Sequence, residues 1–315
     1  MSYKEWTISM RVILALILIS IVSCLREDKI ACNYIENYYQ LIYQAELEYE
    51  LKNYNKAFEL YQSAFKACSP INTLTYNEIG KYAEVCAILG YNEQSLDFIE
   101  IGLKNGDELT WSLQKKIYSK VFATAEGQRL IADYEHMRTE YLKGVNLDLR
   151  KEIQEMNRLD QLYRNGQYNE DKQDMIDEKN KDRLIEIFEN FGYPNDKVIG
   201  SFSVDRIHTD VGTILLHTED SIRMNYFVPK LTEFVKSGAC SPTTLGTIID
   251  QFYLYNDQSQ IYGTYHALTS RYAQMIKDRN QVNKNRISIG LPSLELDEKI
   301  DSIKRINYPE RYIYK

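Results

Sequence analysis

Proline and glycine are scarce in this chain of 315 residues, at six and fourteen. Few helix breakers favour helices. Positive charge is also short, with 38 Lys and Arg against 45 Asp and Glu, a net charge of -7. No dense basic cluster exists, and phosphate contacts need a local excess of Lys and Arg, so nucleic acid is excluded as a partner. No HExxH, GxGxxG, GxSxG or P-loop pattern occurs, which removes the usual support for zincin, dinucleotide, serine-hydrolase and NTPase readings. CxxC and Cys/His metal spacings are missing too, so neither a metal nor a cofactor is implied. A mean hydropathy of -0.45 excludes a polytopic membrane protein. What is present is 44% hydrophobic and 26% charged residues, the composition of a folded globular chain long enough for two domains.

The first segment reads as an address. Lys4 and Arg11 precede an uncharged apolar run, Val12 to Val22, which is shorter than the roughly 20 residues a membrane span needs. The run ends in Ile21-Val22-Ser23-Cys24. These four residues resemble the lipobox of bacterial lipoproteins. The resemblance implies a signal peptide over 1–23, cleavage before Cys24, acylation of Cys24, and a tether over 24–33. Several acyl chains would hold the protein to a membrane of the bacterial envelope, on the periplasmic or surface face of the outer membrane. The alternative is an uncleaved anchor helix or an ordinary signal peptide with Cys24 incidental. Arg26-Glu27-Asp28 resembles surface-export signals of some bacterial lipoproteins.

An envelope location is oxidising, and four cysteines remain after Cys24: Cys32, Cys68, Cys86 and Cys240. Cys68 ends one expected helix, and Cys86 lies roughly 18 Å along the next at 1.5 Å per residue. A disulfide needs Cα atoms within about 7 Å. The expectation is therefore buried free thiols.

Residues 34–144 carry an internal repeat. Ala57, Tyr61, Ala64, Phe65 and Lys66 align with Ser95, Ile99, Gly102, Leu103 and Lys104 at a constant offset of 38 residues, and Ala45 aligns with Ala83. Small residues at fixed positions let antiparallel helices approach closely. The pattern resembles tetratricopeptide repeats over residues 34–106, without the large aromatic usual near the start of the first helix. Two repeats need a cover. The expected cover is a stripe of Trp111, Leu113, Ile117, Val121 and Phe122, followed by Leu130, Tyr134 and Met137. Such a region serves either as a concave peptide-binding groove or as a spacer.

The remaining residues, 145–315, are expected to form an α-rich domain with room for a small β-hairpin after Gln260. The whole chain is thus read as mostly α: helical-hairpin repeats, then helices. A helix over 147–164 carries Leu149, Ile153, Met156, Asp160 and Tyr163 on one stripe, with Arg164 placed to pair with Asp160. The next, over 172–191, carries Ile176, Ile187 and Phe191 on a face shared with Asn180 and Arg183. Polar groups on two core-facing stripes are expected to meet one another. Further helices are expected over 203–218, 221–236 and 242–255. In the first of these, Val204, Ile207, Val211, Ile214 and Leu215 point inward, and His208 and His217 lie on opposite margins, too far apart to share a metal. His217 and Asp220 are an expected acid–base pair, with a helix-end histidine as the plainer alternative. Helical phase puts Asp250 on a polar face.

Asp160-Gln161 with Arg164, Asn180 with Arg183-Leu184, Gly192-Tyr193-Pro194, Gly200, His217, Asp250, Gln260 with Tyr262-Gly263-Thr264, and Arg286 with Gly290-Leu291 resemble, in order and spacing, an uncharacterised bacterial domain of unknown function. Gln251 and Tyr265 depart from it, where Arg and Gln are usual. The resemblance implies no activity. It marks Asp160, Arg164, Asn180, Arg183, His217, Asp250, Gln260 and Tyr262 as a shared polar set. The expected function is a membrane-anchored module that binds a protein or peptide. The alternative is an enzyme or polar-ligand receptor built on that set, which would require several of its members to line one water-accessible pocket.

Overall fold

Among the described residues every regular element is helical. The computed structural model describes residues 32–72, 77–164, 169–265 and 276–312. The chain divides into units 1–32 and 33–315. The signal sequence and Cys24 lie outside the described residues, and of the first unit only Cys32 is described.

A short helix α1 (Tyr34–Asn37) leads into two helical hairpins, α2 (Tyr39–Glu50) with α3 (Tyr54–Ala67) and α4 (Glu78–Leu89) with α5 (Asn92–Lys104). Ala45, Ala57, Ala64, Ala83 and Ser95 are fully buried where these helices cross, so small residues do permit close approach. The two hairpin turns have the same form. Gly90, at φ +84°, lets Tyr91 N–H reach the Cys86 carbonyl at 2.8 Å; Lys52, 38 residues earlier, takes φ +63° and lets Asn53 N–H reach Glu48 at 2.8 Å. Glycine adopts this left-handed conformation at little cost, whereas lysine is strained by roughly 1 kcal/mol.

The cover of the second hairpin is built differently from the expected stripe. The chain breaks into α6 (Leu109–Leu113), a 3-10 turn (Lys116–Tyr118) and α7 (Ser119–Phe122) before the long α8 (Ala125–Gly144). Each break resets the helical phase. Leu109, Tyr118, Val121, Phe122 and Leu130 therefore pack on Leu96, Ile99 and Leu103, with Tyr134 and Met137 against them. Trp111, Leu113 and Ile117 stay exposed.

The second half runs through α9 (Leu147–Asp160), α10 (Glu170–Phe191), α11 (Asp196–Ile199), α12 (Gly212–Leu216), α13 (Asp220–Ile222), a π turn (Arg223–Phe227), α14 (Val228–Lys236), α15 (Pro242–Tyr255), α16 (Arg279–Ser288) and α17 (Leu294–Asn307). On α9 the buried stripe is Leu149, Arg150, Ile153, Met156 and Asp160, close to expectation. On α10 it is Gln173, Asn180, Leu184, Ile187 and Phe188, while Phe191 is exposed. The expected helix over 203–218 does not form; only a 3-10 turn (Phe202–Val204) and α12 are helical there. Asp205 and Asp210 accept from the backbone N–H of Ile207 (3.0 Å) and Gly212 (2.7 Å), and Arg206 takes φ +67°. Local side-chain bonds of this kind compete with the helix, and Ile207 ends half exposed. Gln260–Tyr265 is coil; the rest of the expected β segment, through Ala267 and Tyr272, lies outside the described residues.

The expected boundary at 144/145 falls between α8 and α9, and the two halves meet along a polar seam. Tyr39 Oη donates to the Val235 carbonyl (3.1 Å), Gln40 to that of Leu291 (2.8 Å), and Arg138 to Ser203 Oγ and O (2.8 and 2.9 Å). Cys32 and Cys68 are each disulfide-bonded, while Cys86 and Cys240 are buried free thiols. The expectation of thiols throughout was thus wrong for the first two. The distance from Cys68 to Cys86 sets no limit on where Cys32 lies. No helix among the described residues is long and apolar enough to cross a membrane.

Candidate functional site

Asp160 closes the buried stripe of α9 and is fully buried. Its carboxylate faces His217 Nδ1 at 2.8 and 3.0 Å and accepts from Gln161 Nε2 at 2.7 Å. Arg164 approaches it at 3.6 Å, donates to its carbonyl, and is fixed by Asp177. Gln173 binds the Asp160 carbonyl at 2.9 Å and Asp177 at 2.9 Å. The pairing of Asp160 with Arg164 thus holds, but the partner of His217 is Asp160 and not Asp220. Asp220 opens the next helix and turns to Arg223 (3.3 Å), one turn on. The His217 side chain is 26% exposed, and Nδ1 is the ring nitrogen that Asp160 engages. A buried carboxylate on Nδ1 is the arrangement that orients a histidine for proton transfer. No Ser, Thr or Cys side chain among the described residues bonds to this imidazole.

Asp250 is also fully buried, contrary to the expected polar face. The loop after α15 folds back over that face. The carboxylate accepts from Ile261 N (2.7 Å), Tyr262 N (2.9 Å), Thr264 N (2.7 Å) and Thr264 Oγ1 (2.7 Å). Gln260 exchanges two bonds with the Tyr265 backbone, at 3.0 and 3.1 Å. Arg286 clamps the loop from the other side, donating to the Tyr262 carbonyl (2.9 Å), to Pro292 O (2.6 Å) and to Asp297 (2.8 Å). Asp250, Gln260 and Tyr262 therefore hold a loop.

The rest of the set is dispersed. Asn180 donates to the Met156 carbonyl (3.3 Å) inside the core. Arg183 lies at the margin of α10 and pairs with Glu152 (2.6 Å) and Glu186 (2.5 Å). The set is thus one surface-facing dyad, Asp160–His217, and several closed pairs. Between them sits Arg223, buried by the π turn, donating to Gln251 Oε1 (2.8 Å) and to the Thr218 carbonyl.

Two groups carry more than the sequence suggested. Arg150 is 2% exposed and spends its guanidinium on Asp205 (2.6 and 2.9 Å) and on the carbonyls of Ile199 (3.3 Å), Gly200 (2.7 Å) and Ile207 (2.6 Å). The signal was available, since Arg150 lies three residues before Ile153 on its stripe. The second group lines a cavity of about 350 Å³ at the seam, with Tyr39, Asp107, Tyr193, Asp196, Asp210 and Ser241 among its walls. Burial pushes the Asp107 carboxyl up to about 6; Asp196 raises it further and Lys115 opposes. Asp196 is exposed, and the protein around it still raises its carboxyl, against Arg150 and His208. No local pattern announced this pair, because its members are 89 residues apart. Among the described residues no cluster of His, Cys, Asp and Glu is suited to a metal.

Comparison with known proteins finds no family model, curated protein or solved structure that matches this chain.

Proposed function

We propose that the chain is an envelope-anchored bacterial lipoprotein whose tetratricopeptide-like hairpins bind a protein or peptide partner. The observation that carries the reading is that the face of α2 and α4 already takes a helix. Lys304 of α17 pairs with the buried Glu46 at 2.6 Å, and Asn307 donates to Glu50 at 2.9 and 3.0 Å. The closed pairs of the expected polar set also favour binding over catalysis, since they share no open pocket. The disulfide-bonded Cys32 and Cys68 support an oxidising compartment. Cys24 is the proposed lipidation site, and the anchor places the hairpins near a membrane surface. The experiment is crosslinking in cells, with a fatty-acid analogue as label. Wild type should carry the label and capture a reproducible protein in the envelope fraction, and Cys24→Ala should lose the label and leave that fraction. Equal label in both sinks the anchor; no partner in the envelope sinks the binding role.

A second reading, a polar-ligand receptor, is favoured by the seam cavity. Asp107 and Asp196 would there receive a ligand rich in hydrogen-bond donors or positive charge.

A further inference from the structure

We propose that the outer face of residues 111–120 docks on an anionic phospholipid surface, with Trp111, Leu113 and Ile117 entering the headgroup layer and Lys116 and Lys120 meeting lipid phosphates. This rests on the membrane-anchored reading above, in which a lipid on Cys24 brings the surface within reach, and it adds the face that meets that surface.

A segment that closes a helical repeat normally turns a polar face outward. The cover of the second hairpin does the opposite. Its inner side gives Leu109, Tyr118, Val121 and Phe122 to the core. Its outer side leaves Trp111, Leu113 and Ile117 exposed by 37%, 47% and 39%. The ten residues from 111 to 120 are mostly helical turns, so these groups share a stretch of surface roughly 20 Å long. A loop of the second half adjoins it. Arg206 lies over the Trp111 ring at 5.6 Å and over the Phe202 ring at 5.9 Å, and Ile207, the next residue, is 50% exposed. A guanidinium between two rings holds the indole in place.

Charge decides which surface fits. Residues 109–125 contain three lysines and no acid. Of the bordering acids, Asp107 lines the seam cavity. The others are taken: Glu84 pairs with Lys115 at 2.5 Å, Glu108 with Arg206 at 2.7 Å, and Glu126 with Arg129 at 2.8 Å. Lys116 and Lys120 are exposed and form no ion pair among the described residues. A chain of net charge -7 thus keeps two uncompensated cations where it also exposes tryptophan, leucine and isoleucine. Indole rings favour the headgroup layer, aliphatic groups the acyl boundary, and lysines the phosphates of anionic lipids.

The sequence has two tryptophans, Trp6 and Trp111, so Trp6→Phe in the full chain leaves Trp111 as the sole indole. This chain is purified from cells and reconstituted in vesicles of phosphatidylcholine, or of phosphatidylcholine and phosphatidylglycerol in equal parts. Flotation reads attachment, and quenching by lipids brominated on the acyl chain reads the depth of Trp111. Trp111 should be quenched and blue-shifted in the anionic vesicles, far less in the neutral ones, and added salt should reverse it. Lys116→Gln with Lys120→Gln should lower the ratio of docked to undocked chains roughly thirtyfold, about fivefold for each lysine. Leu113→Gln with Ile117→Gln should abolish the quenching with circular dichroism unchanged; if that pair fails to fold, the lysine pair decides. A chain that floats with anionic vesicles while Trp111 stays unquenched overturns the docking and leaves the anchor intact. Equal quenching in both vesicle types, or no effect of the lysine pair, overturns it as well. Salt-sensitive quenching in a chain that carries no lipid on Cys24 upholds the docking and sinks the anchor instead.

Discussion

Asp107→Asn should stabilise the protein at neutral pH, and the gain should disappear in acid. The carboxyl is half-buried, and burial, aided by Asp196, pushes it up to about 6 against an ordinary 3.8. The folded state therefore holds the proton more tightly than the unfolded state does. This group's contribution is most favourable below the ordinary value, falls as pH rises toward 6, and is at its least favourable above that. A carboxyl held at about 6 costs at most about 3 kcal/mol at pH 7. Asparagine has the same shape and carries no charge, so it escapes this cost. In a domain of this size 1 kcal/mol moves Tm by roughly 2–4 °C, so the variant should melt higher by up to about 12 °C at pH 7.5. Thermal melts of both chains at pH 4, 6 and 7.5, at one ionic strength, give the gap as a function of pH. It should widen as pH rises. A gap that is constant over this range, or that narrows toward pH 7.5, refutes the burial argument. The same substitution would weaken any cationic ligand of the seam cavity, since stability gained by removing a strained charge is commonly function lost.

Asp250→Ala should be among the most damaging single changes. It strands three backbone donors, that of Thr264 buried and those of Ile261 and Tyr262 half-buried, and the Thr264 hydroxyl, at up to about 1–3 kcal/mol for each donor left unmade, which chemical denaturation would register as a lower midpoint; an unchanged midpoint would mean that the loop is not held by this carboxylate. Gln251→Arg should destabilise too, because it sets a second guanidinium against the buried Arg223, and the double change Gln251→Arg with Arg223→Gln should recover most of the loss. Additive losses in that cycle would show that the two side chains do not interact.

How much was legible depended on whether a signal was periodic. The hairpins were, because Ala45, Ala57, Ala64, Ala83 and Ser95 recur at a fixed offset and all proved fully buried. The stripe of α9 was equally clear, and a carboxylate at its end correctly announced a buried polar contact. Phase arguments failed wherever the chain left the helix. The breaks around Lys116–Tyr118 shifted the cover to Leu109 and Tyr118. Asp205, Arg206 and Asp210 ended the helix expected over 203–218 through side-chain bonds that periodicity does not see. Asp250 failed for another reason. A polar helix face predicts solvent only if nothing returns to cover it, and residues 260–264 return. Likewise nothing local marks Glu46 and Glu50 as buried, because α17, which lies across them, comes some 250 residues further on.

The polar set therefore has an order that its spacing in sequence conceals. Asp160 holds His217; the next residue, Thr218, offers its carbonyl to Arg223; Arg223 reaches Gln251; and Asp250, one residue before, ties down the loop to Thr264. A helix without a π turn would carry Arg223 at a different angle, and π turns inside helices often mark functional sites. Gln251 and Tyr265, the two departures from the resemblance, both lie at this junction. Arg223 is flanked by Tyr255 and Tyr265, whose hydroxyls meet at 3.1 Å. Its Nε is buried without a partner, and burial pulls its pKa down against the opposing Asp220. A guanidinium at position 251 would repel this one, whereas glutamine accepts from it. Gln251 is thus matched to a cation arriving from another helix. His217 bonds to Asp160, so the junction orders loops and helices, and the binding role proposed above draws instead on the buried carboxylates that hold α17.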